Sequence, residues 1–160
     1  MEQVITISLG ELVVTDNPDF VLVAFGLGSC VGITAYDRIR KVGGLLHAML
    51  PQRRNGDNNL TKFVDTGLVE LLNRMVALGA KREQMIWRFA GGAQMLTAPG
   101  MSDRFNIGQQ NVTMTQEMIT RHRLNLTACE TGGYQGRTLR LLPTTGEVTV
   151  RYIDGKTKPL

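Results

Sequence analysis

Residues 20–51 read Phe20-Val21-Leu22-Val23-Ala24-Phe25-Gly26-Leu27-Gly28-Ser29-Cys30, then Val31 to Tyr36, Asp37 to Lys41, and Val42-Gly43-Gly44-Leu45-Leu46-His47-Ala48-Met49-Leu50-Pro51. Phe20 to Phe25 is a continuous apolar run of strand length, as expected for a strand buried on both faces. Val31 to Tyr36 is rich in β-formers, Asp37 to Lys41 makes a polar turn, and Val42 to Leu50 returns as the next strand until Pro51 ends it. The glycines before Cys30 let backbone crowd close to a reacting centre, because glycine has no Cβ to clash. A strand, turn and return strand bring His47 back beside Cys30, since antiparallel neighbours lie about 5 Å apart. A thiol beside an imidazole is the minimal equipment for nucleophilic amide chemistry.

Outward from that stretch the chain is strand-rich. Residues 3–8 and 11–14 read as short strands around a turn at Gly10, and Asn17-Pro18 is a turn signal. Leu60, Phe63, Val64, Leu68, Leu71, Leu72, Met75 and Val76 repeat at helical spacing. They predict a helix over 60–78, with Asn58 or Asn59 as N-cap and Gly79 as its stop. Met85 to Phe89 is a strand running into Ala90-Gly91-Gly92-Ala93, followed by a loop through Pro99-Gly100. A second helix is expected over about 108–122, with Val112, Thr115, Met118 and Ile119 inward. Leu124 to Cys129 alternates as a strand until Gly132 and Gly133 break it. Residues 138–142 and 147–152 form a hairpin around Thr144-Thr145-Gly146, and 154–160 read as a frayed tail. Many strands and two helices well apart in sequence make an α+β fold rather than regular βαβ alternation. The length of 160 residues, with no internal repeat and no linker, favours a single domain over 1–160.

Bulk properties exclude several classes. No run reaches the ~20 apolar residues needed to span a bilayer, and the N-terminus lacks the order of a signal peptide, so a soluble cytoplasmic protein without membrane insertion is expected. Two unpatterned cysteines fit a reducing compartment. The formal charge of +4 comes from dispersed Lys and Arg with no basic stripe interleaved with aromatics, which argues against nucleic acid as partner. Gly26-x-Gly28 lacks the third glycine of a dinucleotide loop, and neither it nor Gly91-Gly92 is followed by the Lys-Ser/Thr of a P-loop. Cys30, His47, His122 and Cys129 contain no close ligand pair, so no metal is expected. Cys129, in an alternating strand, reads as a structural thiol, and His122 as a solvated residue at a helix end.

Several motifs together resemble the chemoreceptor glutamine deamidase family, CheD. They are Leu27-Gly28-Ser29-Cys30-Val31, Lys41-Val42-Gly43-Gly44-Leu45-Leu46-His47-Ala48-Met49-Leu50-Pro51, Phe63-Val64-Asp65 and Gly91-Gly92-Ala93-Gln94-Met95. Further along come Ile107-Gly108-Gln109-Gln110-Asn111, Gly132-Gly133-Tyr134-Gln135-Gly136-Arg137 and Thr145-Gly146-Glu147-Val148. The resemblance implies a three-layer α/β/β sandwich with a cysteine hydrolase site. It implies Cys30 as nucleophile, His47 as general base and acid, and no cofactor. Its substrate would be glutamine side chains on the cytoplasmic helices of methyl-accepting chemotaxis receptors, with a CheC-type phosphatase as second partner. Gly28, Ser29, Gly91 and Gly92 are candidates for the oxyanion or substrate loop, their backbone N–H groups being the donors such a site needs. The family's usual third catalytic residue is a threonine six positions before the cysteine, and this chain has Ala24 there. That departure leaves a second reading open: a weakened homologue that binds receptor or CheC without turning it over.

Overall fold

The computed structural model describes residues 1–95 and 106–160. Among the described residues ten strands are arranged as two five-stranded sheets, with two helices on the far side of one of them. The strands are β1 (Gln3–Thr6), β2 (Leu12–Thr15), β3 (Phe20–Leu27), β4 (Val31–Asp37), β5 (Val42–Ala48), β6 (Met85–Gly91), β7 (Leu126–Thr131), β8 (Arg137–Leu141), β9 (Val148–Tyr152) and β10 (Thr157–Pro159). The helices are α1 (Val64–Ala77) and α2 (Ile107–Arg121). The outer sheet runs β1-β3-β8-β9-β10 and the central sheet β2-β5-β4-β6-β7. The order helices, central sheet, outer sheet is the expected α/β/β sandwich.

Alternation along the central strands assigns each side chain to one of two cores. Val31, Ile33 and Ala35 of β4 and Leu46 and Ala48 of β5 face the helices, among Leu68, Leu71, Met75, Trp87 and Phe89. Tyr36 and Leu45 point the other way, into a core shared with Leu22, Ala24, Leu27, Leu139 and Val150 of the outer sheet. Central strands therefore carry apolar residues on both faces, which is why β4 and β5 read as nearly unbroken hydrophobic runs.

Several boundaries differ from expectation for visible reasons. The first helix begins at Val64, not Leu60: Leu60–Lys62 is a single 3-10 turn, and Phe63 is extended (φ −111°, ψ 145°). Phe63 pairs with Leu50 and buries its ring completely, so tertiary pairing delays the helix. Its N-cap is accordingly Phe63 rather than Asn58 or Asn59, with no side-chain cap. The far end follows expectation: Gly79 is left-handed (φ +105°), and the N–H groups of Gly79 and Ala80 close onto Val76 and Met75. Strands β1 and β2 flank the turn at Gly10 but lie in different sheets, so this is a crossover rather than a hairpin. Residues 154–160 are not frayed: Thr157–Pro159 pair with Thr149–Arg151 of β9, and the Leu160 N–H donates to Val148. Cys129 is exposed on the edge strand β7 and fills no core. Pro99 and Gly100 lie outside the described residues.

Candidate active site

Antiparallel pairing of β4 with β5 places Gly32 directly opposite His47. His47 therefore shares the outer-sheet side of the central sheet with Leu45. Cys30, two residues before Gly32, falls on the same side and packs against the inter-sheet core. The β4–β5 ladder ends one residue before it, at Val31 opposite Ala48, so Cys30 lies just beyond the paired strands on the side that His47 faces. Gly32 between them carries no side chain, and a Cβ there would lie 2.8 Å from Leu139 and 3.0 Å from Leu27. The register and packing thus put the two residues the sequence singled out on one side of the central sheet.

His47 is buried, and its two ring nitrogens are in contrasting environments. Nδ1 lies 2.9 Å from the Ile7 carbonyl, while Nε2 is buried without a hydrogen-bond partner among the described residues. A carbonyl only accepts, so Nδ1 carries the hydrogen and Nε2 keeps its lone pair. The fold supplies this partner through the β1–β2 crossover. Ile7 is held by its N–H on the Val23 carbonyl, and beyond the turn the Gly10 N–H donates to the His47 carbonyl. Ala24, at the position where a threonine was anticipated, is fully buried in the inter-sheet core opposite Leu139.

Burial dominates the electrostatics. It pushes the Cys30 thiol above its ordinary value, with the residue's own backbone N–H pulling the other way. It also pushes His47 below the ordinary imidazole value, against the Ile7 carbonyl and the charge of Glu11, which favour the protonated ring. Both shifts favour a resting pair of neutral thiol and neutral imidazole.

The Cys30 loop is tied down residue by residue. The Gly28 carbonyl accepts from Ala93 N–H, the Cys30 carbonyl from Gly92 N–H (both 2.8 Å), and the Ser29 carbonyl from the Asn111 amide. Gly91 (φ +118°) approaches so closely that a Cβ there would sit 2.2 Å from the Cys30 carbonyl oxygen. Gly132 N–H in turn bonds Gly91, and Gln94 N–H bonds Gly133. Gly91 and Gly92 therefore act as a strap on the Cys30 loop, and the Gly92 N–H is committed to the Cys30 carbonyl rather than free for another acceptor. Asn111 was not singled out as a site residue. The signal available was a polar amide on the inward stripe of a helix otherwise carrying Val112, Thr115 and Met118.

A family model described as CheD chemotactic sensory transduction matches residues 49–152. A Symbiobacterium thermophilum protein called probable chemoreceptor glutamine deamidase CheD is 40% identical over 147 residues, covering 90% of this chain and 89% of its own. The chain belongs to the CheD family. A Pyrococcus abyssi CheD relative of the same description is 41% identical over 97% of this chain and 95% of its own. One from Lachnoclostridium phytofermentans is 35% identical over the full length of both chains. Among solved structures, a Neisseria meningitidis protein of family DUF152 aligns at a TM-score of 0.46 and 10% identity, over 76% of this chain and 53% of that one.

Proposed function

We propose that this CheD protein is a cysteine-dependent protein-glutamine deamidase acting on chemoreceptors, converting glutamine side chains to glutamate. The observation that carries the reading is the state of His47. Its Nδ1–H is spent on the Ile7 carbonyl, and Nε2 is left as an unpaired base on the side of the sheet that Cys30 occupies. In this scheme Nε2 takes the Cys30 proton as sulfur attacks the carboxamide carbon, making the S–C bond and an oxyanion. The oxyanion collapses, the C–N bond breaks, and the proton on Nε2 leaves with ammonia. Water then gives a proton to Nε2 and attacks the thioester carbon. The S–C bond breaks, the thiol recovers its proton, and glutamate is released. With the Gly92 N–H committed to Cys30, the backbone N–H groups of Gly28, Ser29 and Gly91 are the remaining oxyanion candidates of the four named from sequence, and one such donor is worth roughly 3 kcal/mol. A substrate on the receptors' cytoplasmic helices puts this work in the cytoplasm. A CheC-type phosphatase would be a second ligand.

The Ile7 carbonyl supports catalysis over mere binding, because it performs the orienting task that Ala24 cannot. Orienting the imidazole and fixing its tautomer is what the third member of such a site contributes. The test is mass spectrometry of receptor cytoplasmic fragments incubated with the protein, where each conversion adds ~1 Da. A gain that disappears in Cys30→Ala is expected. No Cys30-dependent gain on any receptor, with tight binding retained, would instead establish the binding module.

A further inference from the structure

Asn111 is a side chain that this scheme does not use, yet its placement is specific. It projects from α2 and is fully buried. Its Nδ2 donates to two carbonyls at once, Ser29 at 2.8 Å and Met49 at 3.0 Å. Ser29 immediately precedes Cys30, and Met49 lies two residues beyond His47. The amide therefore bridges the two segments that carry the candidate pair. Its orientation follows from chemistry, since two carbonyl oxygens require a donor between them. That leaves Oδ1 buried with no hydrogen-bond partner among the described residues. An orphaned buried acceptor is a liability, and an apolar side chain of the same size would avoid it if the position needed only filling.

The β4–β5 ladder does not make this bridge redundant. Its last pair is Val31 with Ala48, so Gly28, Ser29 and Cys30 lie beyond it. Gly92 and Ala93 fix the first and third carbonyls of that tripeptide to the β6 side. Asn111 alone among the bonds described above ties the middle one, and it ties it to the β5 side, where His47 is.

We propose that Asn111 is a positioning residue for the Cys30–His47 pair, its amide clamping the nucleophile loop to the end of β5 and so fixing the sulfur relative to Nε2. Its effect on turnover rests on the deamidase reading; its effect on thiol reactivity does not. A misplacement of about 1 Å at a reacting centre can cost a hundredfold in rate.

The experiment uses the full chain with Cys129→Ser, so that Cys30 is the remaining thiol, and adds Asn111→Ala, Asn111→Asp or Asn111→Gln. Iodoacetamide alkylation of Cys30 and kcat and KM on receptor fragments are measured below each variant's melting midpoint. Asn111→Ala is expected to slow alkylation to the level of a His47→Ala protein and to lower kcat about tenfold or more, with KM within about twofold. Asn111→Asp, nearly isosteric but without a donor, should be at least as impaired, and Asn111→Gln, which keeps the donor, should recover part of both rates. Folded Asn111→Ala with both rates within about twofold of the parent overturns the proposal. Should Asn111→Ala not fold, the Asp and Gln variants decide, equal rates in the two overturning it. A parent protein that deamidates no receptor defeats the proposed function, while the alkylation series still decides the role of Asn111.

Discussion

At the scale of single residues, a main-chain carbonyl does work that a side chain was expected to do. Ile7 holds Nδ1 of His47, so a hydroxyl at residue 24 would find that nitrogen already taken and could not orient the ring through it. Ala24 is moreover packed without exposed surface among Leu22, Leu27 and Leu139. Ala24→Thr should therefore leave kcat within about twofold while lowering stability by about 1–3 kcal/mol, the cost of burying an unmatched hydroxyl. Steady-state rates and urea unfolding check the two halves. Under the proposed mechanism, the opposed shifts of Cys30 and His47 also fix a pH profile. Protonation of His47 removes the base, and its lowered value moves that acid limb of kcat/KM below the ordinary imidazole value of 6.5. Deprotonation of Cys30 without a protonated His47 leaves no acid for departing ammonia, and the raised thiol moves that alkaline limb above its ordinary 9.0. The expected profile is a plateau wider than the unperturbed pair would give, with Cys30 alkylation still rising above pH 9.0.

At the scale of elements, the Cys30 loop is a suspended segment held from both sides. Gly91 is the point where β6 presses hardest on it, in a backbone conformation side chains rarely adopt. Gly91→Ala must either move the Cys30 carbonyl or distort β6. Strain of this kind costs about 1–3 kcal/mol before any clash is counted, so a lower melting temperature is expected together with a loss of deamidation larger than that at Asn111. Wild-type turnover in this variant would show that the strap does not set the site. α2 contributes through Gly108 as well as Asn111, since a Cβ there would lie 2.3 Å from the Ala93 carbonyl. The β6 strap, the Cys30 loop and the start of α2 are thus packed backbone to backbone. The glycines visible in sequence are the requirement for that contact.

At the scale of the whole molecule, the ends of the chain brace the two sheets around the site. β1 leads into the crossover that delivers Ile7 to His47, and β10 closes the opposite edge of the outer sheet. Lys158 of β10 pairs with Glu130 of β7, the outermost strand of the central sheet, and the buried Arg137 guanidinium bonds the Glu130 and Gly132 carbonyls. Charges across this seam hold Glu130 below its ordinary value, led by its hydrogen bond from Lys158. Removing residues 156–160 should therefore do more than trim a tail. It deletes a strand's hydrogen bonds and the Leu160 contact, and a loss of about 1–3 kcal/mol in urea unfolding is expected. An unchanged midpoint would return the segment to the frayed tail suggested by its sequence.

The sequence by itself determined the elements and the chemistry. The periods of Phe20–Phe25, Val31–Tyr36 and Val42–Leu50 and the stripe along α1 are local properties of side chains. So are the types of Cys30 and His47 and the flanking glycines that mark them out. That His47 returns on the side of the sheet where Cys30 packs was legible too, because an antiparallel return fixes register through a short turn. What only the tertiary structure decided depends on pairs distant in sequence. Ile7 reaches His47 across 40 residues and Asn111 reaches Ser29 across 82, through a sheet-to-sheet crossover and a helix packing that no local pattern encodes. Phe63 leaves the helix for the same reason, since its pairing with Leu50 outweighs weak helix propensity. A backbone carbonyl has no residue letter, so its role at His47 is readable only in the folded chain.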